Sequence, residues 1–276
     1  MFSTFRVIAA MLAAFAAVNS ARAEDLSRSS LLALVAQIQR ADYEDQRADL
    51  MRLRGQLEPF RQERDKKLVS RVEYWQGFAL WRRTLNGFND QVDPAELGAD
   101  LEQALKDFNQ SLSADPKFAD AKIGALSCVS NLMYLNRGNP ARMKELIAQS
   151  SDLSVQAKAE APENPRLYWV LGPNVWYAPP DRGGSQAAAI EMYKKGLDLV
   201  HNAKSESTDS LDPSWGEPEI LMNLGWSNLH KSTPDPDAAL QYAQSALKLV
   251  PYWHYVKDVL LPQIQQTIRD GKSSSK

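Results

Sequence analysis

Apolar residues recur along this chain at spacings of three and four, and β-branched clusters are scarce. That pattern predicts helices throughout. Residues 27–58 and 61–86 read as two long helices, the first with Leu31, Leu34, Val35 and Ile38 as its clearest apolar stripe. Pro59 fits a break between them. The charge-rich segment Arg61–Lys67 reads as a solvated helical face.

Beyond residue 70 two patterns alternate. Four helices carry a bulky residue, a second bulky residue three places on and then a small one: Trp75, Phe78, Ala79; Ile123, Leu126, Ser127; Tyr168, Leu171, Gly172; Leu221, Leu224, Gly225. These are called A-type below. After each comes a B-type helix with residues at spacings of four and three: Ala104, Phe108, Ser111; Ser150, Ser154, Ala157; Ala189, Tyr193, Gly196; Ala239, Ala243, Ala246. Pro116, Pro162 and Pro251 follow three of the B-type helices, where they stop the helix and turn the chain. Small residues let two backbones approach, and bulky ones fill the groove beside the crossing. The expectation is therefore about four antiparallel helix pairs. "WHYVKDVLLPQIQQTIRD" (Trp253–Asp270) fits a terminal capping helix, and the tail 271–276 is expected to be disordered.

This alternation resembles the tetratricopeptide (TPR) repeat, with "AAIEMYKKGLDL" (Ala188–Leu199) and "AALQYAQSALKLVP" (Ala238–Pro251) as the best matches. The B-type segments start 46, 39 and 50 residues apart, whereas the TPR period is 34, so the version is divergent and loop-expanded. The resemblance implies an all-α, right-handed superhelix over residues 68–270, after an N-terminal helical segment 24–67. A narrower likeness rests on Gly183-Gly184 and Trp215-Gly216. It is to exported bacterial TPR-like proteins, among them the accessory subunits of tripartite (TRAP-type) importers.

The N-terminus adds a compartment. Arg6, the apolar run Val7–Val18 and the small-x-small end Ala21-Arg22-Ala23 have the layout of a secretory signal peptide cleaved after Ala23. The run is too short to span a bilayer, so the mature chain would be periplasmic or secreted, with no membrane span. Removing Arg6 and Arg22 leaves 30 basic against 34 acidic residues, a balance that gives no basic face for nucleic acid. The single cysteine, Cys128, lies on a helical pattern and is expected to be buried.

Candidate chemistry is thin. His201, His230 and His254 show no metal-ligand spacing, and no nucleophile or phosphate-loop motif occurs. "DRGGSQ" (Asp181–Gln186) could hold an anion on free backbone N–H groups, but a turn followed by Ser185 as N-cap explains it. Glu217 and Glu219 suit the first turn of a helix. No metal, cofactor or catalytic residue is expected. Aromatics say more: Tyr168, Trp169, Trp176, Tyr177, Trp215 and Trp226 gather on the third and fourth A-type segments and the loop between them. In TPR arrays the A-type helices line a concave, partner-binding face. The resemblance therefore offers these six residues, with Glu217, as ligand contacts, while for Trp169, Trp176 and Trp215 packing into the core is the favoured role. The expected function is an exported, non-catalytic scaffold binding a peptide, partner protein or small ligand in its groove. The alternative is an accessory ligand-delivery subunit of a solute importer.

Overall fold

A computed structural model describes residues 28–202 and 209–274, so the leader expected over residues 1–23 lies outside the described residues. Those residues contain helices and no strand. The helices are α1 (28–43), α2 (Arg47–Leu57), α3 (Lys66–Asn89), α4 (Pro94–Ala114), α5 (Ala119–Leu135), α6 (Pro140–Glu160), α7 (Pro165–Tyr177), α8 (Gln186–His201), α9 (Glu217–His230), α10 (Pro236–Leu249) and α11 (Leu261–Ser274).

The boundaries follow from local chemistry. An Asp or Asn followed by Pro opens α4, α6, α7 and α10. Asp93, Asn139, Asn164 and Asp235 each accept a backbone N–H of the first turn, and the Pro occupies a position whose N–H has no partner to lose. The residues before Pro116, Pro162 and Pro251 leave the helical region: Asp115, Ala161 and Val250 have φ of −136°, −140° and −130°.

Helices α3/α4, α5/α6, α7/α8 and α9/α10 are the expected pairs, and the A-type helices α3, α5, α7 and α9 adjoin one another as a layer. Shape fixes the crossings. Phe108 of α4 wedges between α3 and α5, where a methyl on Gly124 would come within 2.5 Å of its ring and one on Gly77 within 3.2 Å. In the third pair a methyl on Gly172 would lie 2.1 Å from Tyr193 Cε1. Tyr193 is buried and cannot swing away, so Gly172→Ala should destabilise the fold by about 1–3 kcal/mol, read as a lower urea midpoint at unchanged m-value. The second pair is the loosest: in α6 only Leu146 and Ala157 are buried.

Three expectations need correction. The helix expected over 27–58 breaks at residues 44–46, where Asp45 adopts φ 59°. Asp tolerates this left-handed conformation better than most residues, so no Pro or Gly marks the break. The segment Arg61–Lys67 is not one helical face: Glu58–Gln62 is a 3₁₀ turn, α3 starts at Lys66 behind the Asp65 cap, and Arg61 pairs with Glu73 and Glu58. At the other end α11 runs through Ser274, past the expected start of the tail. Before it, Tyr255–Leu260 forms a π-helical turn whose Val256 and Leu260 pack with Trp253 and Ile264 against α10.

Helices α1 and α2 share one core with the repeats. Leu31, Val35, Ile38, Leu50, Leu53 and Leu57 are buried with residues of α3, α5 and α7. The end of α1 reaches the far end of the stack, where the Tyr43 ring lies 5.0 Å from that of Trp253.

Candidate functional site

Two regions hold the residues that the sequence singled out. The first is the face of the A-type layer, which α1 and the segment 209–216 cover. Arg82 of α3 sits at its centre. Its Nε donates to Asp42 Oδ2 at 2.7 Å and its Nη2 lies 3.4 Å from Glu219 Oε1. The rings of Phe78, Trp81, Trp169 and Trp215 surround the guanidinium at 5.5–5.9 Å. Burial pulls the Arg82 pKa down, and the two carboxylates more than restore it, so it stays charged. Burial raises Asp42 to about 6 against the pull of Arg82. Tyr43 donates to Glu219 Oε1 at 2.8 Å, and burial beside that carboxylate raises its hydroxyl well above the usual range.

The Trp-Gly loop completes this region. Gly216 has φ 134°, a conformation that only glycine adopts without strain, and Glu219 Oε2 accepts its N–H at 2.8 Å. That geometry turns Trp215 inward. Its Nε1 donates to Tyr74 Oη at 2.8 Å, and its ring lies 5.5 Å from those of Trp81 and Trp169. Arg166, held bidentately by Asp120, donates to the Trp215 carbonyl at 2.9 Å. Trp75 Nε1 donates to the Leu211 carbonyl at 2.9 Å, and Arg71 bridges Asp115 and Asp212 at 2.6 Å each. The loop between the third and fourth pairs is therefore fastened to the first. Trp169 and Trp215 are buried there.

Other singled-out residues have local roles. Tyr168 is half-buried, and its hydroxyl donates to the Pro162 carbonyl at 2.7 Å. His201 Nε2 lies 3.1 Å from Glu217 Oε1. In "DRGGSQ", Gly183 takes φ 81°, and a methyl on Gly184 would meet the Ala178 carbonyl oxygen at 1.7 Å. Ser185 then caps α8 by accepting from Ala188. Both glycines are needed for the turn, and Ser185 needs no anion. Cys128 is buried, which pushes its thiol well above the ordinary range.

The second region is an edge formed by the last turns of the A-type helices. Trp176 and Tyr177 end α7, and Trp226 and His230 end α9. The Trp226 ring lies 5.2 Å from Trp176 and 6.4 Å from Tyr177, and His230 stacks on it at 4.5 Å and 20°. The row extends to α5 and α3, where Tyr134 meets Phe88 edge-on at 5.7 Å. Burial, and then the Tyr134 hydroxyl, raise the Tyr177 hydroxyl above its ordinary range. Tyr177 is 71 % exposed and Tyr134 58 %. Arg137 lies over the Tyr134 ring at 4.8 Å. A shallow cavity of ≈ 230 Å³ opens here between Gly87, Phe88, Gln91, Leu97 and Tyr134. The sequence reading missed Phe88, Tyr134 and His230. Their shared place, at the last or penultimate position of an A-type helix, was the available signal.

Among the described residues no group of three or more His, Cys, Asp and Glu is placed to hold a metal ion, and no helix is long and apolar enough to cross a membrane. No family model matches the chain, and no curated protein matches it. Among solved structures, the HusA haemophore of Porphyromonas gingivalis is similar over 74 % of this chain and 96 % of its own, at 17 % identity and a TM-score of 0.56. The chain is an all-α stack of helix pairs, similar in fold to that protein. A thermophilic TPR protein of Thermus thermophilus is similar over 80 % of this chain and 98 % of its own, at 16 % identity and a TM-score of 0.44.

Proposed function

We propose that the protein is an exported, non-catalytic binding scaffold that takes a flat, largely apolar ligand along its aromatic edge. The rings on the last turns of α3, α5, α7 and α9, with Tyr134 and Tyr177 exposed and Phe88, Trp176 and Trp226 half-buried, carry this reading. Exposed aromatic faces supply large contact area at low entropic cost, and soluble proteins rarely leave such rings together without a use. The TPR resemblance favours the A-type layer as the binding groove. Here that layer is covered by α1 and the 209–216 loop, so contact shifts to its rim. Trp176, Tyr177 and Trp226 then touch ligand, while Trp169 and Trp215 are sealed in the covered layer and Tyr168 and Glu217 keep their local partners. The leader-like N-terminus supports export. That a haemophore shares the fold supports a carrier of this kind.

The ligand is tested with metal-free protoporphyrin IX, a large flat ring bearing two carboxylates. Saturable quenching of tryptophan fluorescence is expected, weakened about tenfold or more in Tyr177→Ala/Trp226→Ala and unchanged in Val155→Ala on the far helix α6. No saturable binding, or equal affinity in all three proteins, would overturn the reading.

A further inference from the structure

The edge also holds a group that core packing does not use. His230 Nδ1 lies 2.8 Å from the backbone carbonyl of Trp226. A carbonyl only accepts, so Nδ1 carries the proton and the lone pair of the neutral ring sits on Nε2. A histidine tied through one nitrogen to a backbone carbonyl has the arrangement that orients metal-ligating imidazoles. Stacking on Trp226 fixes the ring further. The other two histidines are engaged with carboxylates: His201 with Glu217, and His254 with Asp258 and Asp45. His230 Nε2 has no partner among the described residues, and the side chain is exposed.

One imidazole is too little for a bare ion, and no metal-holding cluster surrounds it among the described residues. It suffices for a metal already held by the four nitrogens of a macrocycle, which lacks only an axial ligand. The metal–nitrogen bond lies in the imidazole plane, so the macrocycle stands across that plane. Trp226 is within 20° of His230 and would meet the macrocycle edge-on. Trp176 and Tyr177 are turned 63° and 56° from Trp226, so they present ring faces inclined to the imidazole plane. A carboxylate on the ligand has a partner to hand. Arg137, over the Tyr134 ring, is exposed and forms no ion pair among the described residues.

We propose that the ligand of the aromatic edge is an iron porphyrin and that His230 Nε2 is its axial ligand. This rests on the binding reading above, and one titration separates the two. Ferric haemin and metal-free protoporphyrin IX are titrated into the mature protein, His230→Ala and His230→Gln, following the Soret band and tryptophan quenching. The wild type should bind haemin about tenfold or more tightly than protoporphyrin and shift its Soret band to the red. Both variants should lose the shift and bind haemin only as well as protoporphyrin. Added imidazole should restore the shift in His230→Ala. His230 is exposed, so unchanged melting of the variants is expected alongside. Protoporphyrin binding with a haemin spectrum indifferent to His230 would overturn the axial ligand and leave the binding edge standing. Failure of both porphyrins to bind the wild type would overturn both.

Discussion

Arg82→Met is expected to lower stability by about 3–5 kcal/mol, the range seen when one partner of a buried ion pair is removed. Two carboxylates depend on this guanidinium. Asp42 ends α1 and Glu219 begins α9, and both are buried. Methionine fills the volume but leaves the two charges unbalanced under a lid of indole rings. Asp42→Asn added to Arg82→Met should recover part of the loss, because it removes one of the stranded charges. The pH dependence follows from the same group. The folded Asp42 carboxyl is raised to about 6 from 3.8, so folding takes up a proton between these values. The group's stabilising contribution is fully present below about 3.8 and is lost as pH rises through about 6. Urea midpoints at pH 4.5 and pH 7.5 should therefore show the stability of the wild type relative to Asp42→Asn falling with rising pH. The loss caused by Arg82→Met should be larger at pH 7.5.

Trp215→Ala carries a comparable cost, about 3–5 kcal/mol for a buried indole. Its ring touches those of Phe78, Trp81 and Trp169, and its N–H is held by Tyr74. Truncation opens a cavity beside Arg82 and frees the loop that ties α9 to α3. Trp215→Phe keeps most of the packing but leaves the buried Tyr74 hydroxyl without that donor, and about 1–3 kcal/mol is the expected loss. Urea midpoints measure both. The alanine variant should also be cut more readily by protease within 209–216, because the staple that orders the segment is gone.

Much of the architecture was legible because it is local. Asp-Pro and Asn-Pro pairs open helices, Pro116, Pro162 and Pro251 end them, and small residues mark the crossings. Each of these acts within a few residues of chain. The break at Asp45 was not legible, since a left-handed aspartate leaves no pattern. Nor was the covering of the A-type layer by α1. That depends on Asp42 meeting Arg82 and Tyr43 meeting Glu219, across 40 and 176 residues of chain, and no periodicity encodes such pairs. The aromatic cluster was visible in composition, but its division was not. Trp215 turns inward because Gly216 takes φ 134° and Glu219 holds its N–H, whereas Trp176 and Trp226 stay half-buried at helix ends. Phe88, Tyr134 and His230 join the edge only once the helices are stacked.

That division, with the inner rings sealed and the edge rings open, is measured most directly by acrylamide quenching of tryptophan fluorescence. The chain has seven tryptophans, and five of them, Trp75, Trp81, Trp169, Trp215 and Trp253, are buried. In Trp176→Phe/Trp226→Phe those five alone remain. The expected result is a collapse of the Stern–Volmer slope relative to wild type. A slope as steep as that of the wild type would mean that the inner face of the A-type layer is open to solvent and would contradict the assignment of binding to the edge.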